Sequence, residues 1–394
     1  MKSILLLLMG CILLFVLTII TGKITFAHQY KIRSKTGIQR SEYITIGKIK
    51  QYIQIRGQDS SNPVILMLHG GPGNPMAYYS YDWQAELEQD YTVIHWDQRG
   101  CGNTFYQNKT AAKPTLDLLL SDLDELVDHI RLEFQKEKVI LMGHSWGTFP
   151  GAIYAGQHPE KVLACISVSQ MLDFKKSEQV SAQEAVHLAY AAGRPQDAYE
   201  IEKMLEPIMK CRKFDKPEAA KLLKFRQLKE KYLPSQYSSK MLILQLFSPY
   251  MTFRNLRWMF SFGSLIAANS ALYETLLADQ KSTMYDYTLQ YETPVIIIAG
   301  DCDWTTPYPM AVKYFNAISA PYKKFITIRN TGHIPFIDRK KEFSEALSDA
   351  LCHVIHRLQT ACFYFTSIEP APPLNISDIS DGVKTTFYTS SCIC

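Results

Sequence analysis

The sequence has little net charge and lacks any dense run of basic residues. Across 394 residues, 42 lysines and arginines nearly balance 38 aspartates and glutamates, which leaves a formal charge of +4. Proteins that bind nucleic acids ordinarily carry a concentrated basic surface that follows the phosphate backbone. The composition therefore excludes a nucleic acid from the expected partners.

Metal-ligand spacing is also lacking, although the chain has nine cysteines. They are scattered along the sequence, and the closest pair, Cys392 and Cys394, is too short a motif to form a tetrahedral zinc site by itself. We therefore expect no metal site. We interpret the cysteines mainly as small apolar residues of the protein interior.

One long apolar run is present, at residues 4–20. Its length is at the lower limit of about 17 residues for a helix that spans a bilayer. We predict that residues 1–21 form a single-pass membrane anchor; the alternative is a cleaved signal peptide and a secreted protein, with cleavage after Thr25-Phe26-Ala27. The apolar run is followed by the basic residues Lys23, Lys31, Arg33 and Lys35. This bias favours a cytoplasmic location for the rest of the chain, but the orientation in the membrane stays open.

Beyond a basic linker at 22–40, short apolar runs alternate with helical patterns. This alternation predicts a parallel sheet with right-handed helical crossovers, opened by a hairpin at 42–46 and 49–56. The other predicted strands are 63–68, 91–96, 138–142, 162–168, 294–299 and 325–329. The predicted helices are 76–89, one that begins at Pro114 and Thr115, one that ends near 157, 309–319 and 340–358.

The alternation stops between 171 and 288, where the sequence is helical almost throughout. We therefore predict an α/β core in two parts, 41–170 and 289–360, with a helical cap inserted at 171–288. Prolines and a Ser/Asp cluster predict a loosely ordered tail at 361–394.

Ser145 lies in Gly143-His144-Ser145-Trp146-Gly147, between a buried strand and a helix. This context is typical of a nucleophile elbow, a turn so tight that its flanking positions must be small. The turn exposes the hydroxyl above the sheet edge, beside a helix N-terminus that favours developing negative charge. The alternative is an ordinary turn serine.

A second glycine-rich loop, His69-Gly70-Gly71-Pro72-Gly73, leaves a strand that should lie beside the elbow strand. We predict that the amides of Gly71 and Trp146 form an oxyanion hole, with Gly70 as the substitute for Gly71. The alternative is a loop shaped only for packing. A phosphate-binding loop is excluded because no G-K-[ST] follows the glycines.

A serine hydroxyl needs an imidazole to accept its proton. His333 follows the last strand, late in the chain, and is the predicted base. Three other histidines adjoin the same sheet edge and are interpreted as structural: His69, His95 and His144.

The acid that orients the base is expected in the loop 300–307. We choose Asp303 because it lies further into the loop and is free to reach across to the base. Asp301 is expected to cap a turn and is kept as the alternative acid. Asp97 and Arg99 are expected to form a structural pair in their own loop.

Together these motifs resemble the proline iminopeptidase (prolyl aminopeptidase) family of α/β hydrolases. The matching segments are HGGPG at 69–73, DQRGCG at 97–102, GHSWGT at 143–148, GDCDWTTP at 300–307 and GH at 332–333. The resemblance implies an α/β-hydrolase fold, with a mostly parallel eight-stranded sheet and an inserted helical cap. It also implies a triad of Ser145, Asp303 and His333, no cofactor, and release of N-terminal residues, proline preferentially.

The sequence departs from the family pattern at Asn74 and at Asn103-Thr104, where the family has a small residue and Arg-Ser. An aminopeptidase must also bind a free α-ammonium through cap carboxylates. Glu200 and Glu274 are candidates, but the sequence assigns no substrate-binding residue. The expected substrate is therefore a small peptide or, in the alternative, an ester.

Two other functions fit the sequence. A carboxylesterase or other acyl hydrolase would use an apolar cap, and a membrane-tethered binding module would keep the fold without catalysis. Cap residues that suit an apolar acyl group, or equally a core-facing helix, are Met251, Phe253, Trp258, Met259, Phe260 and Phe262.

Overall fold

A computed structural model describes residues 2–366, and side chains over 3–356. Its centre is a sheet whose strands follow the apolar runs of the sequence. The eight strands in the described residues are β1 Ile38–Ile46, β2 Ile49–Gly57, β3 Val64–Leu68, β4 Thr92–Asp97, β5 Val139–His144, β6 Val162–Val168, β7 Val295–Gly300 and β8 Lys323–Ile328.

The strand order is β1-β2-β4-β3-β5-β6-β7-β8. The predicted hairpin is confirmed, since β1 pairs antiparallel with β2, and β2 pairs antiparallel with β4. All other pairings are parallel, including that of β3 with β5. The two glycine-rich loops therefore leave neighbouring strands at the same edge of the sheet, as the sequence predicts.

Helices cover the sheet and fill the long interval between β6 and β7. Within the described residues they are α1 Lys2–Gln29, α2 Gly102–Gln107, α3 Leu116–Glu133, α4 Thr148–Gln157, α5 Phe174–Ala191, α6 Pro195–Lys210, α7 Lys216–Lys229, α8 Lys240–Leu246, α9 Phe253–Met259, α10 Phe262–Leu277, α11 Tyr308–Ala317, α12 Pro335–Asp338 and α13 Lys340–Thr366.

One predicted helix is wrong. The segment 76–89 forms a series of turns, with only a short 3₁₀ helix at Leu87–Gln89. Large aromatic side chains of this segment, Tyr81 and Trp83, are completely buried. The burial of these rings in the core outweighs the helical propensity of the segment, so the backbone hydrogen bonds of the predicted α-helix do not form.

Helix α3 buries one apolar side against the sheet, and one aspartate, Asp122, lies on that buried side. Asp122 is buried and accepts hydrogen bonds from Nε and Nη2 of Arg99 at 2.7 and 2.8 Å. The predicted pairing of Arg99 with Asp97 is therefore wrong, because Asp97 instead accepts from the backbone and side chain of Asn103 at 2.8 and 3.0 Å. A buried ion pair between loop and helix fixes the DQRGCG loop against α3.

The cysteines divide between interior and surface. Cys101 and Cys165 are buried, whereas Cys11 and Cys352 are exposed, and all of the described cysteines are free thiols. The expectation of mainly buried cysteines is therefore only partly correct.

Helices α5 to α10, Phe174–Leu277, follow one another between β6 and β7 with no strand among them, and we call this segment the helical insertion. These two strands are direct neighbours in the sheet, with Ile166 opposite Ile296. The insertion has an apolar cluster of its own, built around Phe225, Ile201 and Ala185. It therefore leaves the sheet and returns to it at one place.

Helix α1 is longer than the predicted anchor and extends to Gln29, into the segment expected to be a linker. No helix breaker other than Gly22 lies between the apolar run and Gln29, and Phe26 packs against Tyr81 with ring centroids 5.8 Å apart. The helix is long and apolar enough to cross a membrane, a property that signal sequences share. At the other end of the chain, residues 361–366 continue α13, and the rest of the predicted tail lies outside the described residues.

Candidate active site

Ser145 lies on a backbone turn that only small neighbours permit. Its φ is +53°, in the left-handed region that L-residues avoid. A Cβ at Gly143 would lie 2.6 Å from backbone atoms of Gly147 and Thr148, and a Cβ at Gly147 would lie 2.0 Å from the carbonyl oxygen of Leu68. Both glycines are therefore sterically required, and the turn has the form of a nucleophile elbow.

The structure brings Ser145, His333 and Asp303 into one hydrogen-bonded chain. His333 Nε2 lies 2.9 Å from Ser145 Oγ, and His333 Nδ1 lies 2.9 Å from Asp303 Oδ2. The base and the acid are both almost completely buried, at 3% and 0% exposure. These distances suit proton transfer from the hydroxyl to the imidazole.

Asp303 is held as an acceptor by its own loop. Its Oδ1 accepts from the amides of Thr305 and Thr306 at 2.9 Å each, and its Oδ2 accepts from the hydroxyl of Thr306 at 2.8 Å. Burial alone would raise the pKa of Asp303, but His333 and these donors outweigh burial and lower it. The carboxylate is therefore ionised and correctly placed to stabilise an imidazolium.

Asp301, the alternative acid, has a different position. Its Oδ1 accepts from the amide of Asn330 at 2.7 Å, and its Oδ2 lies 4.0 Å from Arg329 Nη1. The structure places it as a link between the loops that follow β7 and β8.

Gln236, from the helical insertion, joins the loops of the acid and the base. Its side-chain oxygen accepts from the amide of Trp304 at 2.7 Å, and its side-chain nitrogen donates to the carbonyl of Cys302 at 3.0 Å. Its backbone carbonyl accepts from the amide of His333 at 3.0 Å. Sequence reasoning missed this residue because no motif surrounds it.

The predicted oxyanion loop lies beside the elbow. A Cβ at Gly70 would lie 3.2 Å from Ser145 Cβ, and Gly71 has a φ of +118°. Trp146 follows the serine and is fully buried, with its indole nitrogen donating to Gln98 Oε1 at 3.3 Å. Gly70 and Trp146 are thus adjacent to Ser145, and Gly71 lines the same cavity as the serine.

The other histidines of this edge are engaged in structural contacts. His144 Nε2 lies 2.9 Å from the carbonyl of His333, His69 Nε2 accepts from the amide of Gln98 at 3.2 Å, and His95 Nε2 lies 2.6 Å from Gln84 Oε1. Burial lowers the pKa of all three, to about 4 for His69 and about 3 for the other two. They are therefore neutral near neutral pH.

A cavity of about 510 Å³ opens above Ser145, between the sheet edge and the helical insertion. Trp258 of α9 donates to the carbonyl of Gly73 at 2.8 Å and so ties the insertion to the oxyanion loop. Most of the wall is apolar or aromatic, including Phe174, Phe214, Leu222, Ile266 and Tyr273. Such a wall suits an acyl group with little charge.

One carboxylate, Glu178 of α5, is among the residues that line the cavity. It is buried, and it pairs with Arg226, which also lines the cavity, and with Lys229, whose Nζ lies 2.7 Å from Glu178 Oε2. Burial alone would raise the pKa of Glu178, but the two cations lower it to about 2. The predicted candidates Glu200 and Glu274 do not line this cavity.

The described residues contain no cluster of His, Cys, Asp or Glu suited to a metal ion. The arrangement at the cavity floor is instead that of a nucleophile, a base and an acid, with backbone amides beside the nucleophile. Such an arrangement is typical of enzymes that form and hydrolyse an ester on a serine.

Two curated proteins are similar to this chain over most of its length. The probable aminopeptidase YbaC of Bacillus subtilis (strain 168) is 25% identical over 346 residues, which cover 83% of this chain and 100% of that protein. A proline iminopeptidase of Lactobacillus helveticus is 23% identical over 320 residues, which cover 76% of this chain and 93% of that protein. The resemblance predicted from the motifs is thereby confirmed.

Solved structures with a similar fold include a proline iminopeptidase-related protein from Thermus thermophilus, with a TM-score of 0.46 and 18% identity over 80% of this chain and 98% of that one. An epoxide hydrolase from Vigna radiata has a TM-score of 0.49 and 20% identity over 83% of this chain and 99% of that one. The family model described as alpha/beta hydrolase fold matches residues 63–340, from the start of β3 to the start of α13. Because that match covers more than half of the chain, the protein belongs to the α/β-hydrolase family.

Proposed function

We propose that this chain is a serine hydrolase that works through an acyl-enzyme on Ser145. The observation that carries the proposal is the hydrogen-bonded chain from Ser145 Oγ through the imidazole of His333 to the carboxylate of Asp303, with both links at 2.9 Å. A non-catalytic binding module would have no need of this alignment in a buried site.

In the proposed reaction, Ser145 Oγ attacks the substrate carbonyl while His333 accepts the hydroxyl proton. The amides of Trp146 and Gly71, with Gly70 as the substitute for Gly71, stabilise the oxyanion of the tetrahedral intermediate. His333 then gives its proton to the leaving group, and the ester on Ser145 remains. In the second step His333 accepts a proton from a water molecule, and the water oxygen attacks the ester carbonyl. His333 then returns the proton to Ser145 Oγ as the acyl group leaves as a carboxylic acid.

For the substrate, we propose a peptide with a free N-terminus, from which the enzyme releases the first residue, proline preferentially. Similarity over most of the chain to a probable aminopeptidase and to a proline iminopeptidase supports this substrate. Glu178 is the carboxylate in the cavity wall that would bind the α-ammonium, because it is ionised and lies on the insertion that covers Ser145.

A second candidate is a carboxylesterase. The observation that favours it is the charge balance around Glu178, whose carboxylate is already paired with Arg226 and Lys229. One negative and two positive groups give this cluster a net charge of +1, which opposes the binding of an ammonium. An uncharged acyl group would meet no such opposition in the apolar cavity.

The experiment compares three substrates with the full-length enzyme: a prolyl amide with a free amine, the same amide with a blocked amine, and a short acyl ester. Preference for the free amine supports the aminopeptidase, whereas equal turnover of the blocked amide, or turnover of the ester alone, supports the carboxylesterase. Inertness toward all three substrates, with no labelling of Ser145 by a fluorophosphonate, contradicts the serine hydrolase itself.

The substrate preference can also be traced to Glu178. The paired substitution Glu178→Gln with Lys229→Met removes one negative and one positive group, so the net charge of the cluster does not change. It also avoids leaving a buried lysine without its partner. For an aminopeptidase we expect this variant to raise KM for the free-amine substrate and to leave ester hydrolysis unchanged. Equal effects on both substrates would contradict the assignment of Glu178.

We also propose that α1 anchors the enzyme in a membrane as a single span, with secretion after cleavage as the alternative. Ser3–Gln29 is long and apolar enough for this role, and its side chains are exposed along the apolar run. Helices α5 to α10 then act as the cap of the α/β core. Sodium carbonate extraction of cell membranes tests the anchor, since an integral protein stays in the pellet.

A further inference from the structure

A group of large apolar side chains is exposed on helices α8 and α9 and their ends. We call it the apolar surface, and its members are Leu242, Ile243, Phe253, Leu256 and Phe260, with exposures of 66, 51, 78, 44 and 82%. Phe253, Leu256 and Phe260 recur at helical spacing and so share one stripe of α9, whose opposite side carries the buried Trp258. So much exposed apolar area in one segment indicates a binding surface.

The apolar surface begins beside the membrane helix. Phe247, which follows α8, contacts two successive turns on one face of α1: its ring centroid lies 6.2 Å from that of Phe26, and its Cδ1 lies 2.3 Å from where a Cβ at Gly22 would be. Ile243 lies one helical turn before Phe247, on the same side of α8. Exposed apolar residues therefore continue directly from α1 onto the helical insertion.

The position of this contact along α1 identifies the partner. A bilayer core of about 30 Å takes up about 20 helical residues, so a span that begins at Ser3 ends close to Gly22. Phe247 and Ile243 are then at the level of the lipid headgroups. Exposed arginines on α9, Arg254 and Arg257, add the cations that anionic headgroups attract.

We propose that the apolar surface docks into the lipid bilayer next to α1, as a second membrane contact of the protein. The proposal rests on α1 being a membrane anchor, and it is independent of which substrate the enzyme hydrolyses. Aromatic and aliphatic side chains of such a surface enter the boundary between headgroups and acyl chains, about 5–10 Å deep.

The docked surface forms the outer wall of the active-site cavity. Met241 and Gln245 of α8 line the cavity while Leu242 and Ile243 are exposed, and on α9 Met259 lines the cavity next to exposed Phe260. Each short helix thus has one side toward the cavity and another toward the membrane. The cavity lies within about one helix diameter, roughly 10 Å, of the lipid.

The test uses the full-length protein in vesicles of phosphatidylcholine and phosphatidylglycerol that contain a phosphatidylcholine with a diazirine in its acyl chain. After irradiation, mass spectrometry locates the lipid adducts. We expect adducts on α1 and on residues 242–260. Leu132, which is 82% exposed on α3, is the matched control within the same protein, and the yield at 253–260 should exceed its yield on the order of tenfold.

Adducts on α1, together with a yield at 242–260 no higher than at Leu132, would overturn the docking and leave the anchor intact. Adducts on neither segment would overturn both. In protein made with photo-leucine in place of leucine, crosslinks from Leu256 to a second copy of the chain, with no lipid adducts at 253–260, would show that a protein covers this surface and would overturn the docking as well. In a variant with Phe253→Ser and Phe260→Ser, adducts at Leu242 and Ile243 should fall severalfold, and Leu132→Ser should leave them unchanged.

Discussion

Substitution of Gln236 by alanine tests whether the helical insertion positions the triad. The side chain is buried and links the amide of Trp304 to the carbonyl of Cys302, on either side of Asp303 in the chain. Its removal leaves one partly buried donor and one partly buried acceptor without a partner, and each would cost about 1–3 kcal/mol if it were fully buried. Because water can reach them in part, we expect the free energy of unfolding to fall by about 1–4 kcal/mol.

The same change should slow catalysis, because the loop of Asp303 loses its tie to the insertion. A displacement of reacting groups by about 1 Å can cost a hundredfold in rate, so we expect kcat to fall by about tenfold to a hundredfold. KM should change little, since Gln236 does not line the cavity. Ester hydrolysis and the rate of labelling by a fluorophosphonate measure the effect.

Gln51→Ala is the matched control. Gln51 is also buried, and its side chain bridges Asp122, the carbonyl of Ile46 and the indole of Trp96. It lies on β2, which two strands, β4 and β3, separate from the strand that carries Ser145. It should lose similar stability and keep its kcat at a temperature where both variants are folded. Equal losses of kcat in the two variants, or an unchanged kcat in Gln236→Ala, would refute a positioning role for Gln236.

Three further predictions concern charged and reacting groups. Ser145→Ala should lower kcat on the order of 10⁴- to 10⁶-fold and abolish fluorophosphonate labelling, with an unchanged circular dichroism spectrum. Asp303→Asn should lower kcat by about 10⁴-fold without loss of substrate binding, because His333 then adopts the wrong tautomer; a normal rate would contradict the role of Asp303. The pKa of Glu178, about 2 in the folded chain, lies below that of an unfolded glutamate. Its stabilisation is therefore present above pH 4.5 and is lost as the pH falls toward 2, by roughly 3 kcal/mol. Urea denaturation from pH 2 to 6 should show this loss in the native chain, and the paired variant Glu178→Gln with Lys229→Met should lack it.

The parts of the site that the sequence predicts are those in which local sterics act. The left-handed Ser145 needs Gly143 and Gly147 within two residues, so the elbow leaves a recognisable motif. The strand that carries it and the strand before His69 are continuous apolar runs, and such runs are buried in parallel sheets. Neighbouring strands then bring both loops together.

The parts that the sequence does not predict depend on contacts between distant segments. Gln236 reaches Cys302 and Trp304 from the insertion, and its neighbours form no motif. Glu178 has the appearance of a solvated helix residue until Arg226 and Lys229, on another helix, enclose it. The segment 76–89 is similar, because burial of its aromatic rings outweighs helical propensity.

The insertion leaves the sheet after β6 and returns at the adjacent β7, so its length and sequence place no demand on strand register. An exchange of the entire segment would therefore leave Ser145 where β5 holds it. The exchange has two conditions, because the insertion contacts the core loops through Trp258 at Gly73 and through Gln236 next to Asp303. A chimaera whose foreign segment supplies both a donor to the carbonyl of Gly73 and an amide side chain where Gln236 stands should keep its turnover number.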